Sequence, residues 1–256
     1  MRAVDLNSDL GESFGAYTIG MDSAVLHHIS SANVACGWHA GDPEVMERTV
    51  RAAVASGTAV GAHPGYPDLL GFGRRNMALS PSEARTAVMY QVGALQAFLR
   101  ANGAKLQHVK PHGALYNTAA KDMALALAIC EGVRAVAPDA IILGLAGSCL
   151  LKAAQQLGMR WASEVFADRA YQADGSLVPR SQPGAVITDP DCAIRRAVRM
   201  VKEGVVTTAD GTELPILAHS ICVHGDNPAA VAFVEAIHAA LVAEGIKVSK
   251  LDEGIA

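Results

Sequence analysis

The alternation of short apolar runs with longer segments of helical period most constrains how this chain can fold. It is typical of strand–helix units around a parallel sheet, whose buried strands read as continuous apolar runs. The predicted strands are residues 4–8, 32–36, 59–62, 107–109, 141–145, 161–166 and 217–223. About seven such units in 256 residues predict an α/β fold, a TIM-like βα barrel of seven or eight strands, with a doubly wound open sheet as the structural alternative.

Proline and glycine mark where the helices begin and end. The clearest helix is predicted from Ser80 to about residue 101, because Ser80 and Glu83 match a capping box around a proline and Gly103 follows the segment. Similar signals delimit three more helices, which begin at Asp42-Pro43, Asp189-Pro190 and Asn227-Pro228 and end before Gly57, Gly204 and Gly245. Asp42 is therefore interpreted as a helix cap.

No linker or low-complexity segment divides the chain, which predicts one catalytic domain over residues 1–256. A chain that is 51% hydrophobic with a net charge of −4 should fold as a soluble globule, and it offers no electrostatic basis for binding nucleic acid or a membrane. The five scattered cysteines and the lack of a signal-peptide pattern lead us to expect a cytoplasmic protein with reduced core thiols. A homo-oligomer is compatible with these features.

Polar residues gather where the predicted strands end. In barrels and doubly wound sheets alike, this edge carries the chemistry. After the first strand, Asn7, Asp9 and Glu12 provide more acceptors than a plain turn requires. The second strand leads to His39 among small residues, and the third leads to His63 in a loop rich in glycine and proline. We expect these five residues to belong to a site.

Cations follow the third and fourth strands. Arg74 and Arg75 end a Gly- and Pro-rich loop that suits an anionic group, and one of the two is expected to bind it. Lys110 and His112 come directly after the fourth strand, with Tyr116 one helical turn further along. Lys110 is predicted to stabilise charge electrostatically, and His112 to contact a ligand or transfer protons.

The last two strand ends complete the set of candidates. Glu164 ends an apolar strand, where a raised pKa would suit an acid or base. Asp168 and Arg169 are candidate substrate contacts, with a loop-ordering ion pair as the structural alternative. The final strand leads to His224 and Asp226, although Asp226 or its neighbour could simply cap the next helix. Surface or packing roles are assigned to the remaining histidines, His27, His28, His108, His219 and His238.

These residue types favour a hydrolytic or carbonyl-activating site. The sequence contains no Gly-x-Ser-x-Gly elbow and no glycine-rich nucleotide loop, which leaves water activated by an acid–base pair or by a metal. A metal is an open question, because the compact His-Glu-x-x-His spacing is absent. If a metal is present, its ligands are expected to be Asp9, His39, His63 and His224.

Five ordered motifs carry a family resemblance that covers almost all of the chain. They are DLNSDLGESFG at residues 5–15, SANVACGWHAGDP at 31–43, GAHPGYPD at 61–68, VKPHGALYN at 109–117 and VHGDNP at 223–228. Together they closely resemble the LamB/YcsF family, the A subunits of 5-oxoprolinase. The fold that the resemblance implies is a βα barrel of the glycoside hydrolase/deacetylase type.

The activity implied by the resemblance is ATP-dependent opening of the lactam 5-oxoproline (pyroglutamate) to L-glutamate, with ADP and phosphate as the other products. In this family the reaction requires partner subunits B and C, with which the chain would handle ATP and its Mg²⁺. Two alternatives from other classes are a metal-dependent deacetylase-like hydrolase and a non-catalytic lactam-binding subunit.

Roles for individual residues are our own hypothesis within that scheme. ATP can phosphorylate the amide oxygen, giving an imidate-like species that water opens. Lys110 and Arg74 would face the carboxylate or phosphate, and Glu164 or Asp9 would activate water. The histidines expected to polarise the carbonyl and shuttle protons are His39, His63, His112 and His224.

Overall fold

The computed structural model describes residues 2–224 and 228–253. Its elements follow in the order β1 (Ala3–Leu10), α1 (Asp22–Val25), β2 (Ser31–Ala35), α2 (Pro43–Ala55), β3 (Ala59–His63), α3 (Pro81–Ala101), β4 (Leu106–Val109), α4 (Gly113–Ala119), α5 (Met123–Val136), β5 (Ile141–Leu145), α6 (Cys149–Gln156), β6 (Trp161–Phe166), α7 (Pro190–Glu203), β7 (Val205–Thr207), β8 (Glu213–Pro215), β9 (Ser220–Cys222), α8 (Pro228–Ala243) and β10 (Lys247–Val248). None of the helices in these residues is long and apolar enough to cross a membrane.

Seven of the strands close into a parallel barrel. Strands β1 to β6 pair in chain order, and β9 joins β6 to β1. The βα barrel is therefore confirmed, and the open sheet is excluded by the pairing of β1 with β9. Strand β10 pairs with β1 outside the closure, while β7 and β8 form a separate antiparallel pair.

The predicted strands all lie in this barrel, two of them with the predicted bounds. The last strand is shorter than predicted, spanning Ser220–Cys222 instead of 217–223, because Leu217 is exposed and regular pairing with β1 and β6 starts only at Ser220. All five cysteines are free, as expected. Cys149 and Cys192 are only half-buried, so the core assignment holds for the other three.

Helix ends follow the local signals in the sequence. The Ser80 side chain accepts from the Glu83 amide and the Glu83 carboxylate accepts from the Ser80 amide, which completes the predicted capping box. Asp42 caps α2, and Gly204, with φ at 69°, ends α7 in the left-handed conformation that glycine favours. The proposed cap of α8, Asn227 or Asp226, lies outside the described residues.

The interior of the barrel is polar near the site. The Asn7 amide donates to Ser220 Oγ at 2.7 Å, and the Asn33 amide donates to Asn7 Oδ1 at 2.7 Å. His108 Nε2 lies 2.6 Å from Asn33 Oδ1 in the same network. A Cβ at Gly61 would collide with the His108 ring, so this glycine in β3 makes the space that the imidazole fills.

Candidate active site

A cavity of about 1010 Å³ lies where the barrel strands end. It gathers predicted residues from five strand ends, as expected for a parallel barrel. The predicted residues that line it are Asp9, Glu12, His63, Arg74, Lys110, His112, Tyr116, Asp168, Arg169 and His224. Three more, Asn7, His39 and Glu164, are fully buried next to these lining residues. Asp226 lies outside the described residues.

Lys110 lies between two carboxylates at the cavity wall. Its Nζ is 3.0 Å from Asp9 Oδ1, 2.8 Å from Glu164 Oε1 and 3.1 Å from Asn7 Oδ1. Burial disfavours the ammonium, but the charges of Asp9 and Glu164 raise the pKa of Lys110 well above its usual value. Lys110 is thus a fixed cation that holds both carboxylates in place.

Glu164 is enclosed on its other side by a phenol. Tyr116 donates its hydroxyl to Glu164 Oε2 at 2.6 Å. Burial and the Glu164 charge raise the pKa of Tyr116 well above 10, so the phenol keeps its proton. Glu164 is completely buried, with Lys110 at one oxygen and Tyr116 at the other. It is therefore well placed to position Lys110 and poorly placed to reach water.

Asp9 is the carboxylate that faces the cavity. Its Oδ1 accepts from Lys110 and, at 2.8 Å, from the Asn33 amide, while its Oδ2 lies 3.3 Å from His63 Nε2. Burial acts to raise the pKa of Asp9, but His63 and Lys110 hold it well below the usual value. Asp9 is therefore ionised throughout the neutral pH range.

Three histidines and Glu12 form a compact cluster beside Asp9. The rings of His39 and His112 stack with centroids 3.7 Å apart, and His63 meets both rings edge-on. Glu12 Oε1 lies 3.4 Å from His39 Nε2 and 3.5 Å from His112 Nδ1. One ligand atom from each of the four residues lies within 4.8 Å of the others, so the cluster could hold a metal ion.

Burial keeps two of these imidazoles, His39 and His112, neutral. It lowers the pKa of His39 well below 6.5, and together with His39 and His63 it lowers that of His112 to about 2. A Cβ at Gly73 would lie 2.7 Å from His39 Cβ and 2.9 Å from His112 Cδ2. The glycine of the loop after β3 is thus what allows the backbone to approach the stacked rings.

His224 pairs with Asp168 elsewhere on the cavity wall. His224 Nδ1 lies 3.2 Å from Asp168 Oδ2. Burial opposes charge on both groups, yet their hydrogen bond and mutual attraction raise the pKa of His224 and lower that of Asp168. The suggested ion pair between Asp168 and Arg169 is wrong, because the Arg169 guanidinium donates to the carbonyl oxygens of Val178 and Ala185. The Arg169 side chain thus orders the loop by bonding to the loop's backbone carbonyl groups.

The two arginines after β3 have different surroundings. Arg75 forms an ion pair with Asp68, whereas Arg74 lines the cavity with its guanidinium carbon 5.0 Å from the centre of the Phe72 ring. Arg74 is therefore the arginine that lies at the cavity, and its binding of an anionic group stays a prediction. Lys121 and Arg180, which were not predicted, also line the cavity.

Known proteins resemble this chain over nearly its whole length. The model of the LamB/YcsF family matches residues 4–256. The chain belongs to the LamB/YcsF family. It is similar to the A subunit of 5-oxoprolinase from Clostridium beijerinckii, with 57% identity over 251 residues, 98% of each chain. It is also similar to the A subunit of 5-oxoprolinase from Bacillus subtilis, with 54% identity over 253 residues, 99% of this chain and 98% of the other.

A solved structure supports the same family placement. The lactam utilization protein from Thermus thermophilus is 49% identical, with a TM-score of 0.92, and the match covers 96% of this chain and 99% of that one. Its crystal structure and the LamB/YcsF barrel described here therefore share one fold.

At least two residues in the buried network of this LamB/YcsF chain, Asn33 and His108, were missed by the sequence analysis. His108 was assigned to packing or the surface, but it lies inside the barrel, bonded to Asn33 and to Gln107 Oε1 at 3.0 Å. The signal was a His next to Gln in a short apolar strand, opposite a glycine in the preceding strand. The packing assignment does hold for His219, whose Nδ1 accepts from the Ser163 amide.

Proposed function

We propose that this chain is the A subunit of an ATP-dependent 5-oxoprolinase and that the lactam ring is opened in its cavity. Residues 1–256 would act as one catalytic domain in the cytoplasm, with partner subunits B and C. The observation that carries this proposal is the array of Asp9, Lys110 and Glu164 at the strand ends, in a chain whose relatives are named as A subunits of 5-oxoprolinase.

The substrate is a small ring with one carboxylate and one stable amide. Lys110 is already surrounded by Asp9 and Glu164, so it is not the cation that binds the carboxylate. Arg74 at the cavity wall has no such carboxylate partner among the described residues, and its planar guanidinium suits a carboxylate or phosphate. We therefore assign substrate anchoring to Arg74, with Lys121 and Arg180 adding positive charge at the same cavity.

Asp9 is our candidate for the group that accepts a proton from the attacking water. Its low pKa makes it a weak base, which suffices only if the attacked carbon is strongly electrophilic. Phosphorylation of the amide oxygen by ATP would supply that electrophilicity. Because the sequence has no glycine-rich phosphate loop, we assign the handling of ATP and Mg²⁺ mainly to the partner subunits.

His224 is our candidate for the acid that protonates the departing ring nitrogen. Its pKa is raised, so a larger fraction carries a proton at neutral pH, and Asp168 fixes which nitrogen faces the cavity. Glu164 and Tyr116 act as positioning residues. Tyr116 holds Glu164, and Glu164 holds Lys110, which in turn contacts Asp9. Of the two residues that the sequence offered for activating water, we therefore assign this role to Asp9 and not to Glu164.

Reconstitution tests the proposal. Glutamate formation from 5-oxoproline and ATP is measured for this chain alone, for the B and C subunits alone and for the mixture. We expect turnover only in the mixture. Turnover by this chain alone would overturn the multi-subunit scheme, and no turnover in the mixture would overturn the assigned reaction.

Variants in the same assay test the residue roles. We expect Asp9→Asn and His224→Gln to lower kcat/KM at least about 100-fold, the lower end of what general acid–base catalysis contributes. Asp139→Asn and His27→Gln make the same chemical changes at exposed positions and should leave it unchanged. Full turnover by both cavity variants would instead favour a non-catalytic lactam-binding subunit.

A further inference from the structure

The hydrogen bonds of His63 and His112 fix the proton positions on both rings. His63 Nδ1 lies 2.7 Å from the Lys110 carbonyl oxygen, and His112 Nε2 lies 2.8 Å from the Phe72 carbonyl oxygen. A carbonyl oxygen only accepts, so each ring donates one N–H outward, and a neutral ring has no second proton to donate. The two remaining nitrogens, His63 Nε2 and His112 Nδ1, face each other at 2.9 Å. In neutral rings both of these nitrogens carry lone pairs, and their contact is favourable only with a positive charge between them, from a metal ion or from a shared proton.

His39 and Glu12 lie beside these two nitrogens and complete the cluster of four potential ligands. His39 is fully buried, and neither of its ring nitrogens has a hydrogen-bond partner among the described residues. Glu12 Oε1 is likewise buried and without a hydrogen bond there. Buried polar atoms rarely remain unpaired, because each has lost its water without gaining a partner. These atoms are acceptors or neutral imidazole nitrogens, which are ligands for a metal ion.

The separations of the four ligand atoms, with His63 Nε2 and His112 Nδ1 2.9 Å apart and all four atoms within 4.8 Å of one another, span the spacing expected around a tetrahedral ion. Ligands 2.0–2.1 Å from zinc are separated from one another by about 3.3 Å in a tetrahedron. Glu12 Oε1 lies 3.4 Å from His39 Nε2 and 3.5 Å from His112 Nδ1. We propose that Glu12, His39, His63 and His112 bind one divalent transition-metal ion, with Zn²⁺ the best match to three imidazoles and a carboxylate. The outward bonds from His63 and His112 to carbonyls are those that orient metal-binding imidazoles.

This ligand set differs from the one the sequence suggested. His39 and His63 are kept, but His224 is paired with Asp168 and Asp9 is held by Lys110. The ion lies at the cavity wall next to Asp9, where it would polarise a lactam carbonyl. The geometry of these four residues carries the metal site, which goes beyond the proposed function because that function assigns no metal ion to them.

Metal binding by the full chain is the direct test. The purified chain is stripped with a chelator and titrated with Zn²⁺ against a chromogenic competitor, and X-ray absorption then counts the imidazoles around the bound zinc. We expect one ion per chain with three imidazoles. No stoichiometric binding of Zn²⁺, Co²⁺, Ni²⁺ or Mn²⁺ would overturn the site and indicate a shared proton between His63 and His112. Fewer than three imidazoles would also overturn it.

Variants distinguish the two ligand sets. Glu12→Gln and His112→Gln should weaken Zn²⁺ binding at least about 100-fold, the upper end of the loss seen for second-shell partners. His224→Gln, a cavity histidine outside the set, and His27→Gln, an exposed one, should bind Zn²⁺ like the wild type. Loss of the ion in His224→Gln with retention in His112→Gln would overturn our set. Circular dichroism checks that each variant folds. If a variant does not fold, the number of imidazoles that X-ray absorption finds around zinc in the wild type tests the ligand set instead.

The metal test and the turnover test fail independently. A chain that binds no ion but still opens 5-oxoproline with its partners contradicts the metal site alone. A chain that binds one ion but gives no glutamate in the reconstituted mixture contradicts the proposed function alone.

Discussion

At the scale of one residue, Asp5 shows how burial inside the barrel changes the pKa of a carboxyl group. It is fully buried and accepts hydrogen bonds from the hydroxyls of Ser30 and Ser31, both at 2.6 Å, and of Ser220. Burial is the largest influence and raises the pKa of Asp5 to about 6, against the lowering effect of the three hydroxyls. The native state therefore binds a proton at Asp5 more tightly than the unfolded chain does.

Replacing Asp5 with Asn should change how stability depends on pH. The native pKa is about 6 and the ordinary value is 3.8, so the contribution of Asp5 is fully present below pH 3.8 and is lost as the pH rises through 6. The loss amounts to about 3 kcal/mol. Between pH 4 and 8, the unfolding free energy of the wild type should fall by about this much relative to Asp5→Asn, measured by urea unfolding.

A surface change provides the control for this measurement. Asp139→Asn alters an exposed carboxylate, and its stability curve should run parallel to that of the wild type. If the unfolding free energies of the wild type and Asp5→Asn changed with pH in the same way, the raised pKa of Asp5 would be contradicted.

At the scale of elements, helix caps also hold the loops that carry the site. Asp42 Oδ1 accepts from the Val45 amide at 2.9 Å and so caps α2, as the sequence predicted. Its Oδ2 accepts from the Gly15 amide at 2.7 Å, a contact that the sequence did not indicate. Asp42 thus connects the start of α2 to the loop after β1, in which Glu12 lies.

Two substitutions at Asp42 separate these roles. Asp42→Ala removes both contacts and should lower the unfolding free energy by about 1–2 kcal/mol. Asp42→Ser keeps a capping oxygen, so it should recover most of that stability, yet amide exchange at residues 14–17 should be faster in both variants. Ser80→Ala, which removes the cap of α3, should cost about 1 kcal/mol and leave exchange in this loop unchanged. Unchanged exchange in Asp42→Ala would refute the connection.

At the scale of the whole molecule, one end of the barrel carries the cavity and the other end contains a buried apolar cluster. The carboxyl ends of the strands carry the cavity, whereas Leu251 packs in a small fully buried cluster with Ile141, Leu143 and Ala162. Ile141 is the first residue of β5 and Ala162 the second of β6, so the cluster lies toward the amino ends of these strands. The segment after α8 thus fills the barrel on the side away from the site.

Leu251→Ala should therefore affect stability and not substrate binding. Truncating a fully buried leucine costs about 2–5 kcal/mol, because apolar contacts are lost and a cavity remains. The KM for 5-oxoproline in the reconstituted enzyme should stay within about twofold, since the two ends of a barrel are largely independent in function. Leu217→Ala, at a position 51% exposed, is the matched control and should change stability by less than about 0.5 kcal/mol. A large rise in KM for Leu251→Ala would contradict this division.

The sequence by itself determined the strands, the main helices and the strand-end positions of the polar residues, because hydrophobic period and capping act within a few residues. Only the tertiary structure decided that the sheet closes, since pairing β1 with β9 joins residues more than 200 positions apart, such as Asp5 and Ser220. It also decided which polar groups meet. Glu12 joins the histidine cluster, His224 goes to Asp168 and His108 enters the barrel, because strand register and loop path, not local pattern, set those contacts.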